Sequence, residues 1–365
     1  MSAVSTSSPH ARRHDWTALR RIAAVLGLVA LPLTLYAVML HSFWERGELG
    51  IDFSQTLLPA AEELADGRSP YPAYGYPPLV AFALVPFTVL PSPELFYTAG
   101  LVVTLPASLW ILGIRDWRCY GAAFLWGASF HAIQTGNVTI VLLLFSAVAW
   151  RARDSRLGAG VSSGLAIATK LICWPLVVWL AASRRGATAA IALLVACGVT
   201  AILWGSLGFS GLLDYPSSLD KLETAQAPSS YTLQVLLTDL GAPSAISRAA
   251  WILALLVVLA AVFLAARRGA DQHAYSFAIL AAVIGSPIVW LHSFVLLLAV
   301  VAVRRPRFSA VWILPSLLWF GSGSGNGETW QTLLVLGVAL ATFVACVLPG
   351  DVRLDRARRR LASSP

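Results

Sequence analysis

Ile22–Leu40, IAAVLGLVALPLTLYAVML, is an unbroken apolar run, and its reading decides the fold. A helix needs about 20 apolar residues to cross the hydrocarbon core of a bilayer, with a range of roughly 17–25. This run has that length. A secretory signal would close on a small-residue cleavage site, whereas here the chain continues LHSFWERGE. The run is therefore read as a retained first membrane helix. Further apolar runs occupy 77–91, 95–114, 119–133, 137–150, 158–182, 187–208, 248–266, 274–290, 292–303, 308–321 and 330–348. Of these, 95–114, 158–182, 187–208, 248–266 and 330–348 are long enough to cross alone; the shorter ones must tilt, pair or run through polar-lined interior.

Composition agrees. The 365 residues are 58% hydrophobic and 12% charged, with a mean hydropathy of +0.73. A soluble domain carries about a quarter charged residues. The runs are continuous rather than alternating, which excludes an outer-membrane barrel. In lipid a helix satisfies its own backbone, so the expected fold class is an all-α polytopic membrane protein of about twelve transmembrane helices.

Basic residues stay on the cytoplasmic side of a membrane. Arg12, Arg13, Arg20 and Arg21 precede the first run, Arg184–Arg185, Arg267–Arg268 and Arg304–Arg307 follow later ones, and DVRLDRARRR closes the chain. Both termini are therefore expected inside, with loops 42–76, 209–247 and 322–329 outside. The 209–247 loop, with Asp214, Asp220, Glu223 and Asp239 against a single lysine, fits that side. Simple counting nevertheless puts Arg115–Arg118 and Arg151–Arg156 outside. An alternative makes 158–168 and 171–182 a hairpin with Lys170 at the outer face and merges 77–114 into one crossing. The domain division is a cytoplasmic tail at 1–19, one membrane-embedded domain at 20–349 and a basic cytoplasmic tail at 350–365. The net charge of +8 reflects inner-loop arginines and anionic headgroups rather than nucleic acid. Cys119, Cys173, Cys197 and Cys346 lack a C-x-x-C spacing and read as buried small hydrophobes.

Chemistry is expected where polar residues interrupt the apolar pattern. Ile51–Pro78, IDFSQTLLPAAEELADGRSPYPAYGYPP, belongs to an acidic, aromatic-rich first loop, with six carboxylates between His41 and Tyr76 against two arginines. Asp52 is its candidate general base; it also suits a helix cap, and the two roles are not exclusive. Leu57, Leu58, Ala61, Leu64 and Ala65 recur at helical spacing behind it, which predicts a helix lying on the membrane surface. Tyr71, Tyr74 and Tyr76 read as interfacial anchors, or as an aromatic wall beside a sugar or lipid. Lys170, one of two lysines, lies inside GLAIATKLICWPLVVWL. An ionisable group there is costly unless paired or wet; it reads as a phosphate contact or an internal ion pair. His292 follows a Ser-Pro break in GSPIVWLHSF, and Gln134 and Asn137 interrupt HAIQTGNVTIVLL, where each suits a hydroxylated ligand or a helix cap. Glu328, in GSGSGNGETW, reads as part of a flexible turn.

The succession DF…AAEELADGRSPYPAYGYPPL, QTGNVTIVLLL, GLAIATKLICWPLVVWLAASRR and SPIVWLHSFVLLL resembles glycosyltransferase family 87, of the GT-C superfamily that includes actinobacterial mannosyltransferases. The resemblance implies a GT-C bundle with an external active site in the plasma membrane. The implied donor is a polyprenyl-phosphate-linked sugar, typically mannose, transferred with inversion to a glycolipid or lipoglycan acceptor. By motif, Asp52 becomes the general base, Lys170 and His292 hold the donor phosphate, and Tyr76, Gln134 and Asn137 bind substrate. The chain departs from the family's glycine–glutamine pair at Gln134-Thr135-Gly136-Asn137. No cofactor or metal is implied, and no D-x-D pair occurs. The rival reading from another class is a multi-pass secondary transporter of a lipid-linked or small polar substrate.

Overall fold

The computed structural model describes residues 18–321 and 328–348. Of the tail expected at 1–19 all but the last two residues, the tail expected at 350–365, and most of the turn at 322–329 fall outside these residues. Helices and short turns account for the architecture, with no strand among the described residues. In chain order the helices are α1 (Ala18–Glu45), α2 (Leu58–Ala65), α3 (Pro78–Leu84), α4 (Pro93–Ile111), α5 (Trp117–Phe124), α6 (Gly127–Gln134), α7 (Thr139–Arg151), α8 (Arg156–Thr169) and α9 (Pro175–Ala182). They continue with α10 (Gly186–Ser206), α11 (Tyr215–Gln226), α12 (Leu233–Asp239), α13 (Ser244–Arg267), α14 (Asp271–Ile284), α15 (Leu297–Arg304), α16 (Ala310–Ile313) and α17 (Thr329–Val347).

Among the described residues five helices, α1, α4, α10, α13 and α17, are long and apolar enough to cross a membrane. A sixth span results if α6 and α7, which meet at 118°, are taken together. The outward faces of α1 and α13 are apolar, with Leu33 and Leu253 exposed, as lipid-facing helices require. The centre is the stretch Leu291–Val303, a 3-10 turn running into α15 and buried on all sides. A helix apolar all round belongs in such a core. Close packing of α8 on α10 depends on small residues. A Cβ on Gly160 would lie 2.7 Å from Ile191 Cγ2, and one on Gly164 would lie 2.6 Å from the Ala192 carbonyl oxygen.

Hydrogen bonds and ion pairs sort the helix ends into two sets. Arg185 donates both terminal nitrogens to Asp271 at 2.9 Å each and lies 3.7 Å from Asp154, while Arg153 approaches Asp271 at 3.5 Å. Arg304 donates to Gln272 and to the Cys346 carbonyl, and Arg305 to the Ala345 carbonyl. Asp116 accepts from the backbone N–H of Phe308 at 3.2 Å and pairs with Arg118 at 2.7 Å. The Arg118 guanidinium holds the Asp116 carboxyl down at about 2, helped by the Phe308 N–H, against a partial burial that opposes it. Arg115–Arg118 and Arg151–Arg156 thus join the other arginine clusters at one end, and the conflict in the loop count disappears. The run at 158–182 is not one crossing. It leaves the arginine end after Asp154, turns at Lys170 and returns at Arg185. At 77–91 the chain forms only α3 and a short 3-10 turn. Glu94, which opens α4, lies beside Gly50, so the chain enters and leaves the stretch between them at the same place.

Three smaller expectations change. Cys119, Cys173 and Cys346 are buried, but Cys197 is exposed on the outer face of α10. Glu328 forms a reciprocal cap with Gln331 at the start of α17 instead of belonging to a loose turn. Tyr71 and Tyr74 are 7% and 3% exposed, so they are packed rather than placed at a lipid surface. Tyr71 stacks on Trp204 at 4.6 Å, and Trp204 meets Tyr215 edge-on at 5.0 Å. Partners more than a hundred residues away cover these rings.

Candidate active site

The site lies at the end opposite the arginine clusters, where two interruptions in the apolar pattern meet. Polar backbone at such depth must find partners within the protein. After α1 the chain reverses through Gly47 and Gly50, both at positive φ, and docks on the turn between α6 and α7. Gly50 N–H donates to the Gln134 carbonyl at 2.7 Å, Asp52 N–H to the Thr135 carbonyl at 2.8 Å, and the Gln134 side-chain amide to the Glu48 carbonyl at 3.1 Å. Gly136 makes this approach possible. Its φ is +69°, and a Cβ there would lie 2.8 Å from Phe53 Cβ and 3.2 Å from Gly50 Cα.

This docking aims Asp52. Its side chain does not cap the turn Phe53–Leu57 that follows. Instead Asp52 Oδ2 accepts a hydrogen bond from Asn137 Nδ2 at 2.8 Å. The Asn137 amide is oriented because its Oδ1 accepts from the Thr139 backbone N–H at 3.0 Å and from the Thr139 hydroxyl. An amide whose oxygen is occupied must present its N–H groups to the other side. Asn137 therefore starts α7 and holds the carboxylate at once, leaving Asp52 Oδ1 without a partner among the described residues.

Lys170 sits at the extended break between α8 and the turn Leu171–Cys173, with φ −155° and ψ 125°. Its ammonium lies 5.4 Å from the Tyr76 ring centroid, a cation–π contact, and enters no salt bridge among the described residues. His292 follows the break at Ser286-Pro287, where the Ser286 hydroxyl donates to the Ile288 carbonyl at 2.6 Å. It is 3% exposed, and neither ring nitrogen has a hydrogen-bond partner among the described residues. Its ring stacks on His131 with centroids 5.6 Å apart. Its ring nitrogens are thus not engaged by the surrounding protein and are free to meet a ligand in the space that His292 lines.

Asp52, Tyr76, Asn137, Lys170 and His292 line one cavity of about 620 Å³. Gln134 does not. Its amide serves the backbone of the first loop, so the structure places it behind the cavity as a support. Residues that the sequence reading missed complete the walls. Tyr215, Asp220, Glu223 and Gln226 come from α11, and Ser286 and Trp290 from the break before His292. The α11 carboxylates were visible in the sequence only as loop charge, and His131 only as a neighbour of the QTGN turn. A carboxylate, an ammonium and an imidazole facing one space, with no ion pair joining the first two, leave room for a polar ligand between them. Among the described residues no group of three or more His, Cys, Asp or Glu side chains is placed to hold a metal ion.

A family model described as Glycosyltransferase family 87 matches residues 74–293, more than half of the chain. Tyr76, Gln134, Asn137, Lys170 and His292 lie within the matched stretch, whereas Asp52 precedes it. No curated protein and no solved structure matches.

Proposed function

The chain belongs to glycosyltransferase family 87, and from that premise we propose that it transfers a sugar, mannose in our reading, from a polyprenyl-phosphate-linked donor to a glycolipid or lipoglycan acceptor with inversion. Family membership sets the transporter reading aside. In this mechanism Asp52 Oδ1 takes the proton of the acceptor hydroxyl as its oxygen attacks the anomeric carbon. The bond from that carbon to the phosphate oxygen breaks on the opposite face, and its electron pair leaves with the phosphate. The phosphate gains a negative charge in that step. Lys170 meets it as a fixed cation, and a His292 N–H donates to it, since charge that develops in the transition state is best met by groups already in place. Tyr76 and Asn137 shape the sugar side of the cavity. The chemistry uses no cofactor.

We assign the arginine end to the cytoplasm by the positive-inside rule and the cavity to the external face of the plasma membrane. From the alternation of the chain between the two ends we infer twelve passes, several of them by helices shorter than a full span, and we read α2 as lying at the outer surface. A lipid-borne donor then reaches the cavity sideways from the bilayer.

The observation carrying this reading is the convergence of Asp52, Lys170 and His292 on one cavity from three distant parts of the sequence. The decisive test is Asp52→Asn, which keeps size but loses basicity. Membranes bearing it, supplied with radiolabelled polyprenyl-phosphate mannose, are expected to lose transfer by about 100-fold or more with normal protein levels. Retained transfer rules Asp52 out as the base.

A further inference from the structure

The cavity has lining groups of two kinds. Lys170 and the buried His292 supply the first; α11, twelve residues long, supplies the second, a mixed apolar and acidic face that lines the same cavity. Asp220, Glu223 and Gln226 follow one another at three-residue intervals and so form a stripe along that face. Neither carboxylate enters a salt bridge among the described residues, and the neighbouring Lys221 does not line the cavity. Asp220 is exposed and Glu223 half-buried, so both carboxylates stay accessible at the cavity rather than packed away. The helix is also held in place. The Tyr215 hydroxyl donates to the Gly75 carbonyl at 3.1 Å, and a Cβ on Gly75 would lie 3.0 Å from Leu222.

We propose that α11 is the acceptor-binding wall, and that the group it receives is an uncharged polyol, the hydroxyl-rich end of a glycoside, rather than a phosphate or a simple fatty alcohol. This rests on the transferase reading above and adds to it the residues that select the acceptor. A carboxylate only accepts hydrogen bonds, so Asp220 and Glu223 need a ligand that brings donors. Sugar hydroxyls do so, and the Gln226 amide both donates and accepts. A phosphate beside α11 would meet two negative charges and is directed to Lys170. The Tyr76 and Tyr215 rings add the flat apolar surfaces on which a pyranose packs. The two kinds of lining group thus sort the two substrates: the anionic donor goes to Lys170 and His292, the neutral acceptor to α11, and the Asp52 carboxylate serves as base.

The test is binding to full-length protein in lipid nanodiscs with three probes: octyl glucoside and octyl mannoside below their micellar concentrations, decyl phosphate, and 1-octanol. Asp220→Asn and Glu223→Gln are expected to weaken glycoside binding about tenfold each without weakening decyl phosphate. Lys170→Met is expected to do the reverse, and 1-octanol should bind neither better nor worse in any variant. With a turnover assay, the α11 variants raise acceptor KM and leave donor KM unchanged. The inference is overturned if glycoside affinity stays within twofold of the parent in the α11 variants, or if both probes weaken together, which marks a structural role. Phosphate binding indifferent to Lys170→Met sinks the transferase site assignment instead, so the two failures are distinguishable.

Discussion

Asn137 Nδ2 donates to Asp52 Oδ2 at 2.8 Å, joining residues 85 apart in sequence. The bond fixes which carboxylate oxygen is engaged and which is left open, and it exists because Thr139 has already claimed the other end of the amide. The orientation of the candidate base is therefore set by the turn that begins α7.

Asn137→Asp replaces a donor with an acceptor and sets two carboxylates against each other. Transfer is expected to fall about 100-fold, with Asn137→Ala falling less, since orientation of a general base is worth part of its roughly 10²–10⁴-fold contribution. In both, kcat should fall by a larger factor than donor KM rises, since Asn137 also borders the sugar. Steady-state kinetics on purified protein checks this; a loss confined to donor KM would contradict it.

His292→Phe keeps an aromatic ring against His131 while deleting two nitrogens that have no partner among the described residues. Thermal melting should show a Tm close to the parent's, because no hydrogen bond to the surrounding protein is lost. Sugar transfer should drop at the same time through weaker donor use. A lower Tm would mean that the imidazole is there for packing.

Gly136→Ala forces a side chain into a positive-φ position and against Phe53. The strain is about 1–3 kcal/mol, and relieving it moves the first loop and Asp52 together. The expected result is a lowered Tm with transfer reduced more than donor binding. Gly113, also at positive φ but with open space around it, serves as the comparison, because its alanine variant strains the backbone without reaching the cavity.

Asp116 titrates at about 2 beside Arg118, below the ordinary carboxylate range near 3.9. A carboxyl depressed in the folded state stabilises the fold above its unfolded pKa and loses that contribution as the pH falls through about 2. Mild acid should thus leave the contact to the Phe308 N–H intact. Asp116→Asn should flatten the decline in stability between about pH 4 and 2, measured as melting temperature against pH; an unchanged slope would show that the pair contributes nothing.

How much of this was legible in one dimension depends on what signal each feature leaves. Lys170 and His292 stood out because each is a polar residue interrupting an apolar run, and Asp52 because it opens the acidic first loop just beyond the first run and falls on the motif that the resemblance names. Asp220 and Glu223 carried no such contrast, since they lie in a loop where charge is ordinary. Gln134 had the same contrast as Asn137 three residues later, yet one amide serves the Glu48 backbone and the other the Asp52 carboxylate. Nothing in the HAIQTGN string separates the two roles; the docking of the first loop does.

The apolar runs by themselves determined that the chain is a helical membrane protein, because hydrogen bonding in lipid leaves a continuous apolar segment little other choice. They also placed its polar breaks. Tertiary structure alone decided which breaks meet, which arginines share an end, and that the run at 158–182 turns back at Lys170. Those outcomes rest on contacts such as Arg185 with Asp154 and Gly50 with Gln134, between residues far apart in the chain, and pairing over such distances is fixed by packing rather than by local composition.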